Sequence, residues 1–488
     1  METLDNKVTL MTKEELTGAV HGTLVGLAEN LKNFSFTSVV TDSRNVVRGS
    51  LFVPLVGEFQ DGHKYISQAI EKGATVVFIS ENVYEENCKY YMKLLSEHDR
   101  VTFIVVKNNL YALQDAARAY VNKFDKLIKV AVTGSSGKTT TKEIMAAILR
   151  QRYNLIATEG NFNSETGLPL SVFKIRKEHE CGLFEMGMNR ENEIGEIARV
   201  FKPNYAIITN IGTAHIGILK SRENIAKEKK KIFSYIKKQG VAVIPKDDDF
   251  AKFLAEGVAG QIVYFGKNIP EKESGVRFIE NLGLEGTKFA VDGIETVLKI
   301  PGEYNYLNAL SCIALARKLG LSAKEIAEGI ASLKAPEGRS KIENVKTLNG
   351  KNITLLKDCY NANPDSMSSA IEMCAGLKVK GRKIFILGDM FELGKDSADA
   401  HSKVGADVIV AKPDFVFFAG RDMEFAAKAA MIGGLNRQKY YENLEGDKLS
   451  ELTSYLLDYL KDDDFIFVKG SHGMHLEKII EKICGEEL

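Results

Sequence analysis

The chain of 488 residues has no tryptophan, no net charge, no long apolar run and no paired-cysteine motif. The missing tryptophan excludes nothing. The six cysteines, at 88, 181, 312, 359, 374 and 484, form no C-x-x-C pair and no metal-type spacing. A disulfide scaffold and a zinc module are therefore not expected, and reduced thiols in a cytoplasmic protein are. The 65 Lys and Arg balance the 65 Asp and Glu, which leaves no basic field for nucleic acid or an acidic membrane surface. No apolar stretch approaches a membrane span, so no membrane insertion is expected. Met1-Glu-Thr-Leu-Asp-Asn-Lys7 lacks a basic region followed by an apolar core, so no secretory signal is expected either. No repeat or low-complexity segment stands out.

The apolar share of 44% and charged share of 27% are ordinary for a globular protein, and the length suits about three domains. Strand-like runs alternate with helical stretches, the pattern of parallel sheets covered by helices. The expected class is α/β, in three blocks: 1–107, 108–335 and 336–488. The first holds Val76–Ser80 and Val101–Val106. The second opens with a helix over Asn109–Phe124 and ends near Lys334-Ala-Pro-Glu-Gly338, where Pro and Gly interrupt the helical pattern. The third carries strands at Thr354–Lys357, Lys383–Leu387, Phe415–Phe418 and Phe465–Val468. The charge run Lys461-Asp-Asp-Asp464 reads as solvated loop.

The richest stretch is Lys129-Val-Ala-Val-Thr-Gly-Ser-Ser-Gly-Lys-Thr-Thr-Thr-Lys142. A β-branched run ends in a Gly/Ser turn, and a helix-forming stretch to Arg150 follows. Glycines let backbone amides close on phosphates, and the helix N-terminus adds its positive dipole end. Lys138 reaches the terminal phosphates in such a cradle and the Thr139 hydroxyl ligates Mg²⁺. Val132 stands where the usual motif has its first glycine, and a plain turn with a surface lysine is the alternative. Strand before and helix after favour the phosphate reading, hence ATP.

Other chemistry-bearing residues also follow strand-like runs: Glu185, His215, Asp358, Gly388-Asp389 and Lys469-Gly470. Open α/β sheets bind ligands outside the carboxyl ends of their strands. Glu185 and His215 beside a phosphate loop leave ligand and structural roles equally open. Lys229 falls within the apolar stripe Ile225, Ile232, Phe233, Ile236 of a helix after Ser221, with Lys227, Lys230 and Lys231 on the other side. A buried amine is costly and wants a partner or a change of charge, such as a carbamate formed with CO₂. The pattern by itself favours a lysine that snorkels from the stripe edge to solvent. Asn305 is placed near the cap of a helix running to about Lys318, which needs no functional reason. Arg339 and Asp358 read singly as loop residues.

Taken together, these residues resemble the Mur ligases, ATP-dependent amide-forming enzymes of bacterial peptidoglycan synthesis. The resemblance covers nearly the whole chain. It rests on Thr133-Gly-Ser-Ser-Gly-Lys-Thr139, Gly160-Asn-Phe-Asn-Ser-Glu-Thr-Gly-Leu-Pro169, Glu185-Met-Gly187, Asn210-Ile-Gly-Thr-Ala-His215 and Glu337-Gly-Arg339. Tyr360-Asn-Ala-Asn-Pro-Asp-Ser-Met367, Leu387-Gly-Asp-Met-Phe-Glu-Leu-Gly394 and Lys469-Gly-Ser471 are similar to the members that add D-alanyl-D-alanine. Thr41-Asp-Ser-Arg44 and Asp61-Gly-His63 resemble the uridine-diphosphate end of their substrate site.

The resemblance implies an N-terminal UDP-binding domain, a central P-loop-type ATPase domain and a C-terminal Rossmann-like domain. It implies ATP binding by Gly134, Ser135, Ser136, Gly137, Lys138, Thr139 and Thr140, with nucleotide contacts from Asn305, Arg339 and Asp358. Mg²⁺ would be held by Thr139, Glu185, His215 and a carbamylated Lys229, with Lys138, Lys229 and His215 as catalytic groups. Ser43, Arg44, Asn161, Asn163, Asn361 and Asn363 would contact substrate. The implied substrates are UDP-N-acetylmuramoyl-tripeptide and D-alanyl-D-alanine, joined by a cytoplasmic, monomeric enzyme through an acyl phosphate. Four positions depart from the family pattern: Tyr304 for a histidine, Lys230-Lys231 for Gly-Glu, and His472 for an arginine, which histidine does not replace as a charged fork. The alternatives are the ligase adding the third amino acid, whose Asp-Asn-Pro-Arg motif is missing here, and a polyglutamate-adding folate enzyme. From other classes come a P-loop NTPase coupled to movement or transport, and a nucleotide-binding regulator without catalysis.

Overall fold

The computed structural model describes residues 8–485 apart from 33, 58, 336 and 337. Met1–Lys7 and Glu337 lie outside the described residues, and the Lys334–Gly338 boundary is described only in part. Strands fall into blocks along the chain, as the alternating pattern requires. Compactness divides the chain into two units, one of Met1–Ala131, Asn154–Met188 and Asn192–Asn204, the other of the remainder.

In the first unit, β1 (Thr23–Gly26), β2 (Ser38–Val40), β3 (Ser50–Phe52), β4 (Ala74–Ser80) and β5 (Thr102–Val106) form a sheet of order β1-β5-β4-β3-β2. Only the β1–β5 pair is antiparallel. Val77, Ile79 and Phe103 bury one face against Ile66, Ala69, Ile70, Tyr91 and Leu94. The helix Asn109–Val121 follows, with Asn108 as N-cap accepting from the Tyr111 amide at 3.0 Å. β6 (Ile128–Thr133) starts in this unit, where the Ile128 amide donates to the Glu180 carbonyl at 2.9 Å. There β7 (Leu155–Ala157) and β8 (Cys181–Glu185) pair in parallel.

The second unit receives the end of β6. Here the Thr209 amide donates to the Thr133 carbonyl at 2.9 Å, just past β9 (Tyr205–Ile208). β9, β10 (Val241–Pro245) and β11 (Gln261–Phe265) continue in parallel. A small antiparallel sheet follows: β12 (Val276–Asn281), β13 (Thr287–Val291) and β14 (Ile294–Leu298). The last sheet runs β15-β16-β20-β17-β18-β19, from β15 (Lys341–Lys346), β16 (Asn352–Asp358), β17 (Lys383–Gly388), β18 (Phe415–Ala419), β19 (Gln438–Tyr441) and β20 (Phe465–Lys469). Only the edge strand β15 is antiparallel to its neighbour. Side chains alternate along β17: Phe385 and Leu387 enter one core, Ile384 and Ile386 the other. A strand covered by helices on both faces must be apolar at every position, which is why this run shows no polar alternation.

Two local expectations fail. The Lys461–Asp464 run is not all solvated. Asp464 is 1% exposed and accepts Arg382 Nη2 at 2.6 Å, Arg382 Nε at 3.1 Å and the Lys461 amide at 2.8 Å. It closes the turn into β20 through a partner contributed by a distant segment. The helix after Ser221 is shorter than its stripe. It spans Arg222–Lys230, then tightens to a 3₁₀ turn at Lys231–Phe233. All six cysteines are free thiols.

Candidate active site

The turn after β6 is built on two close approaches. A Cβ on Gly134 would lie 1.7 Å from Thr209 Oγ1, and one on Gly137 would lie 2.6 Å from Asn308 Oδ1. Gly137 also has φ +78°, and it is the N-cap of the helix Lys138–Leu149. The segment after β9 wraps the turn. The Ser135 amide donates to the Asn210 carbonyl at 3.1 Å and the Ser136 amide to Asn210 Oδ1 at 3.0 Å. Thr209 Oγ1 donates to the Ser136 carbonyl at 2.6 Å, and the Gly212 amide to Ser135 Oγ at 2.9 Å. Two of the expected phosphate-facing amides are therefore engaged with Asn210. Thr139 and Thr140 follow Lys138 in the first turn of the helix.

Lys138 Nζ donates to the Gly134 carbonyl at 2.9 Å, and Lys229 Nζ donates to the same oxygen at 2.9 Å. Lys229 is 1% exposed. The expectation that it snorkels is wrong: the amine is buried and turned to the Gly134 carbonyl. Burial first, and the Lys138 cation second, push its pKa well below the ordinary lysine value.

His215 lies six residues after Thr209, with φ +64°. Its Nδ1 lies 2.6 Å from Glu392 Oε2. Burial lowers the His215 pKa, as do the neighbouring Lys138 and Lys229 amines, while the Glu392 contact opposes them. The hydrogen bond from His215 in turn lowers the Glu392 pKa, so Glu392 is the charged member of the pair. A neutral imidazole still donates through Nδ1–H, so the two shifts are compatible. The helix Pro364–Gly376 brings two more groups to the turn. Asn363, its N-cap, donates through Nδ2 to Ser136 Oγ at 3.0 Å, and Asp365 Oδ2 accepts the Thr213 amide at 2.7 Å and Thr213 Oγ1 at 2.9 Å.

Asn305 is buried, donating to the Pro301 carbonyl at 2.7 Å and accepting from Asn308 at 3.4 Å. Asp358 ends β16 and accepts Lys469 Nζ at 2.6 Å and the Ser340 amide at 3.3 Å. Tyr304 reaches Ser340 Oγ at 3.1 Å, and burial pushes its phenol upward. The Arg339 guanidinium lies 4.2 Å from the Tyr360 ring centroid, and the His472 ring stacks on Tyr360 at 5.4 Å. Asn361 caps its own turn, bonding the Ala362 amide at 2.8 Å.

Glu185 belongs to the first unit. It ends β8, is 2% exposed, and accepts Asn163 Nδ2 at 2.7 Å, while the Asn161 carbonyl accepts the Asn163 amide. Also in that unit, Ser43 donates to Gln68 at 2.7 Å and Arg44 pairs with Asp42 at 2.7 Å. His63 is tied to Asp61 Oδ1 at 2.6 Å and its Nε2 accepts the Ser80 amide at 3.2 Å, so it braces the end of β4. Thr209, Asn308, Asp365 and Glu392 carry no expected role, although Asp365 and Glu392 lie inside family-like motifs. Their signal is a partner far away in sequence, which no local pattern carries.

Among the described residues no three His, Cys, Asp or Glu side chains gather as a metal-binding group. A Mg²⁺ shared with nucleotide phosphates needs only one or two protein carboxylates. Thr139, Glu185 and His215 offer donors of that chemistry.

Residues 132–316 match the Mur ligase middle domain, 338–472 the Mur ligase, glutamate ligase domain, and 35–121 the Mur ligase family, catalytic domain. The UDP-N-acetylmuramoyl-tripeptide--D-alanyl-D-alanine ligase of Treponema pallidum is 38% identical over 473 residues, covering 96% of this chain and 98% of that one. The enzyme of the same name from Bacillus subtilis is 33% identical, over 92% of this chain and 93% of its own. A crystal structure of MurF from Acinetobacter baumannii superposes with TM-score 0.84 at 27% identity, covering 98% of this chain and 100% of that one. MurF ligase from Thermotoga maritima in complex with ADP gives TM-score 0.75 at 26% identity, covering 92% and 97%.

Proposed function

The chain belongs to the Mur ligase family, and we propose that it joins D-alanyl-D-alanine to UDP-N-acetylmuramoyl-tripeptide at the expense of ATP. The convergence of Lys138 and Lys229 on one carbonyl of a glycine turn carries this reading. Burial and the Lys138 cation drive Lys229 toward its neutral form, so Lys138 is the cation that an arriving anion would meet at this turn. A triphosphate is such an anion, and the N-terminus of the helix Lys138–Leu149 adds to the attraction. With the Ser135 and Ser136 amides bonded to Asn210, the cradle falls to Gly137 and the first helical turn.

In the reaction, the tripeptide carboxylate attacks the γ-phosphorus of ATP, giving an acyl phosphate and ADP. The neutral amine of D-alanyl-D-alanine then attacks the acyl carbon, expels phosphate and forms the amide. Lys138 neutralises the terminal phosphates, which otherwise repel the attacking carboxylate. Mg²⁺, when bound, spreads the charge developing on the phosphate oxygens; Thr139, Glu185 and His215 are its proposed ligands. Burial pushes the Lys229 pKa well below the ordinary lysine value, toward the neutral amine that adds CO₂, and a carbamate there would turn a buried donor into an anionic ligand. Asn305, Arg339 and Asp358 are proposed to contact nucleotide. Ser43, Arg44, Asn161, Asn163, Asn361 and Asn363 are proposed to contact the other substrates. The proposed domains are 1–107, 108–335 and 336–488, and both boundaries fall outside the sheet strands.

The deciding experiment gives the purified protein ATP, Mg²⁺ and D-alanyl-D-alanine with UDP-muramoyl-tripeptide or its dipeptide precursor. A product heavier by one D-alanyl-D-alanine, formed from the tripeptide with ADP, supports the reading. ADP released without either acceptor would sink it in favour of a coupled NTPase.

A further inference from the structure

The turn Asp389–Gly394 after β17 has no part in the reaction as described, yet its backbone is unusually constrained. The Met390 amide donates to His401 Nε2 at 3.0 Å, and His401 is wholly buried with Nδ1 on the Ser397 carbonyl at 2.8 Å. The Phe391 amide donates to Ser471 Oγ at 3.0 Å, and the Ser471 amide to the Asp389 carbonyl at 3.0 Å. Asp389 Oδ1 accepts the Met423 amide at 2.8 Å. These bonds leave Glu392 at φ +65°, a left-handed conformation that a glutamate rarely adopts.

Opposite it stands His215, also left-handed. The contact is double. Glu392 Oε2 lies 2.6 Å from His215 Nδ1, and the Gly217 amide donates to the Glu392 carbonyl at 3.2 Å. A Cβ on Gly217 would meet that carbonyl oxygen at 2.6 Å, so the two turns fit only with glycine there. The Glu392 side chain is 47% exposed. A pair with one member half exposed returns little stability, whereas two strained non-glycine residues cost more than such a pair supplies. Stability does not account for the arrangement.

Resting on the ligase reading above, we infer that Glu392 is a positioning residue: it accepts the Nδ1 proton of His215 and so keeps Nε2 as the lone-pair nitrogen for a divalent cation. A histidine that binds a metal through one nitrogen is oriented by a carboxylate or carbonyl on the other. Here that carboxylate comes from the sheet β15–β20, while the histidine follows β9. Docking of the two layers therefore sets the tautomer.

The test uses the full chain, Glu392→Ala, Glu392→Gln and ¹⁵N-labelled histidine, with His215→Asn to assign the ring. Long-range ¹H–¹⁵N spectra at alkaline pH read the tautomer without turnover, and ADP formation is titrated with Mg²⁺. The wild type is expected to carry its proton on Nδ1. E392A is expected to lose that signature and to need ~10- to 100-fold more Mg²⁺ for half-maximal rate. E392Q, isosteric and still an acceptor, is expected to keep the signature and most of the Mg²⁺ sensitivity. An unchanged ring signature in E392A, or an unchanged Mg²⁺ requirement, overturns the assignment. Wild-type protein that forms no amide would instead sink the ligase reading, and the ring spectra of E392A would still decide the tautomer.

Discussion

Two turns approach His215, and they are made in opposite ways. The turn after β6 is shaped by glycines at 134 and 137, where a Cβ would collide with Thr209 and Asn308. The turn after β17 has the non-glycine Glu392 at φ +65°, held there by buried His401 and by Ser471. Where neighbouring segments must close directly on a backbone, side chains are removed. Where a side chain must be presented at one place, the backbone is forced and the surroundings hold it.

The largest expected effect breaks the first turn chemically. Lys138→Ala should lower the rate of amide formation by ~10³-fold or more in steady-state kinetics, since a cation on transferring phosphates is worth that much. A near wild-type rate would remove the basis for treating this turn as the triphosphate cradle. Next comes a steric break. Gly134→Ala places a methyl 1.7 Å from Thr209 Oγ1, and overpacking of this kind costs about 1–3 kcal/mol. A fall in the urea midpoint with loss of nucleotide binding by calorimetry is expected, and unchanged binding would show that the turn has slack.

The same kind of exchange has another outcome in the second turn. Glu392→Gly relieves left-handed strain of about 1 kcal/mol and loses a hydrogen bond of about the same value. Its unfolding midpoint should stay near wild type while its Mg²⁺ requirement rises. A stability loss as large as that of Gly134→Ala would mean the two turns are held alike. The smallest effect concerns acid. Burial and the neighbouring Lys138 and Lys229 amines lower the His215 pKa below its ordinary 6.5. Above that value neither folded nor unfolded chain holds the proton, and the group contributes nothing. Below it the unfolded chain takes up a proton that the native state refuses, so native stability falls. His215→Asn should therefore lose less stability than wild type as pH drops below 6.5, measured by thermal unfolding across that range.

Much of the site is legible because its signals are local. The apolar run Val130–Val132, the glycines and the helix formers after Lys138 lie within about one strand and one turn of each other. Gly134–Thr140, Glu185, Asp358 and Lys469 all stand at strand ends, as the alternating pattern placed them. The failures involve partners far apart. Asp464 resembles a solvated charge until Arg382 is placed beside it. Lys229 sits in the middle of a helical stripe, yet periodicity cannot tell what packs over that stripe. Glu392 lies in a quoted motif, but its partner is 177 residues away.

The sequence by itself determined which chemical groups exist and which follow a strand, because hydrophobic period and turn residues are properties of neighbours along the chain. Tertiary structure set the burial of Lys229, the ring orientation of His215 and the use of the Ser135 and Ser136 amides. These depend on local dielectric and on hydrogen-bond partners from remote segments, and only folding brings such segments together.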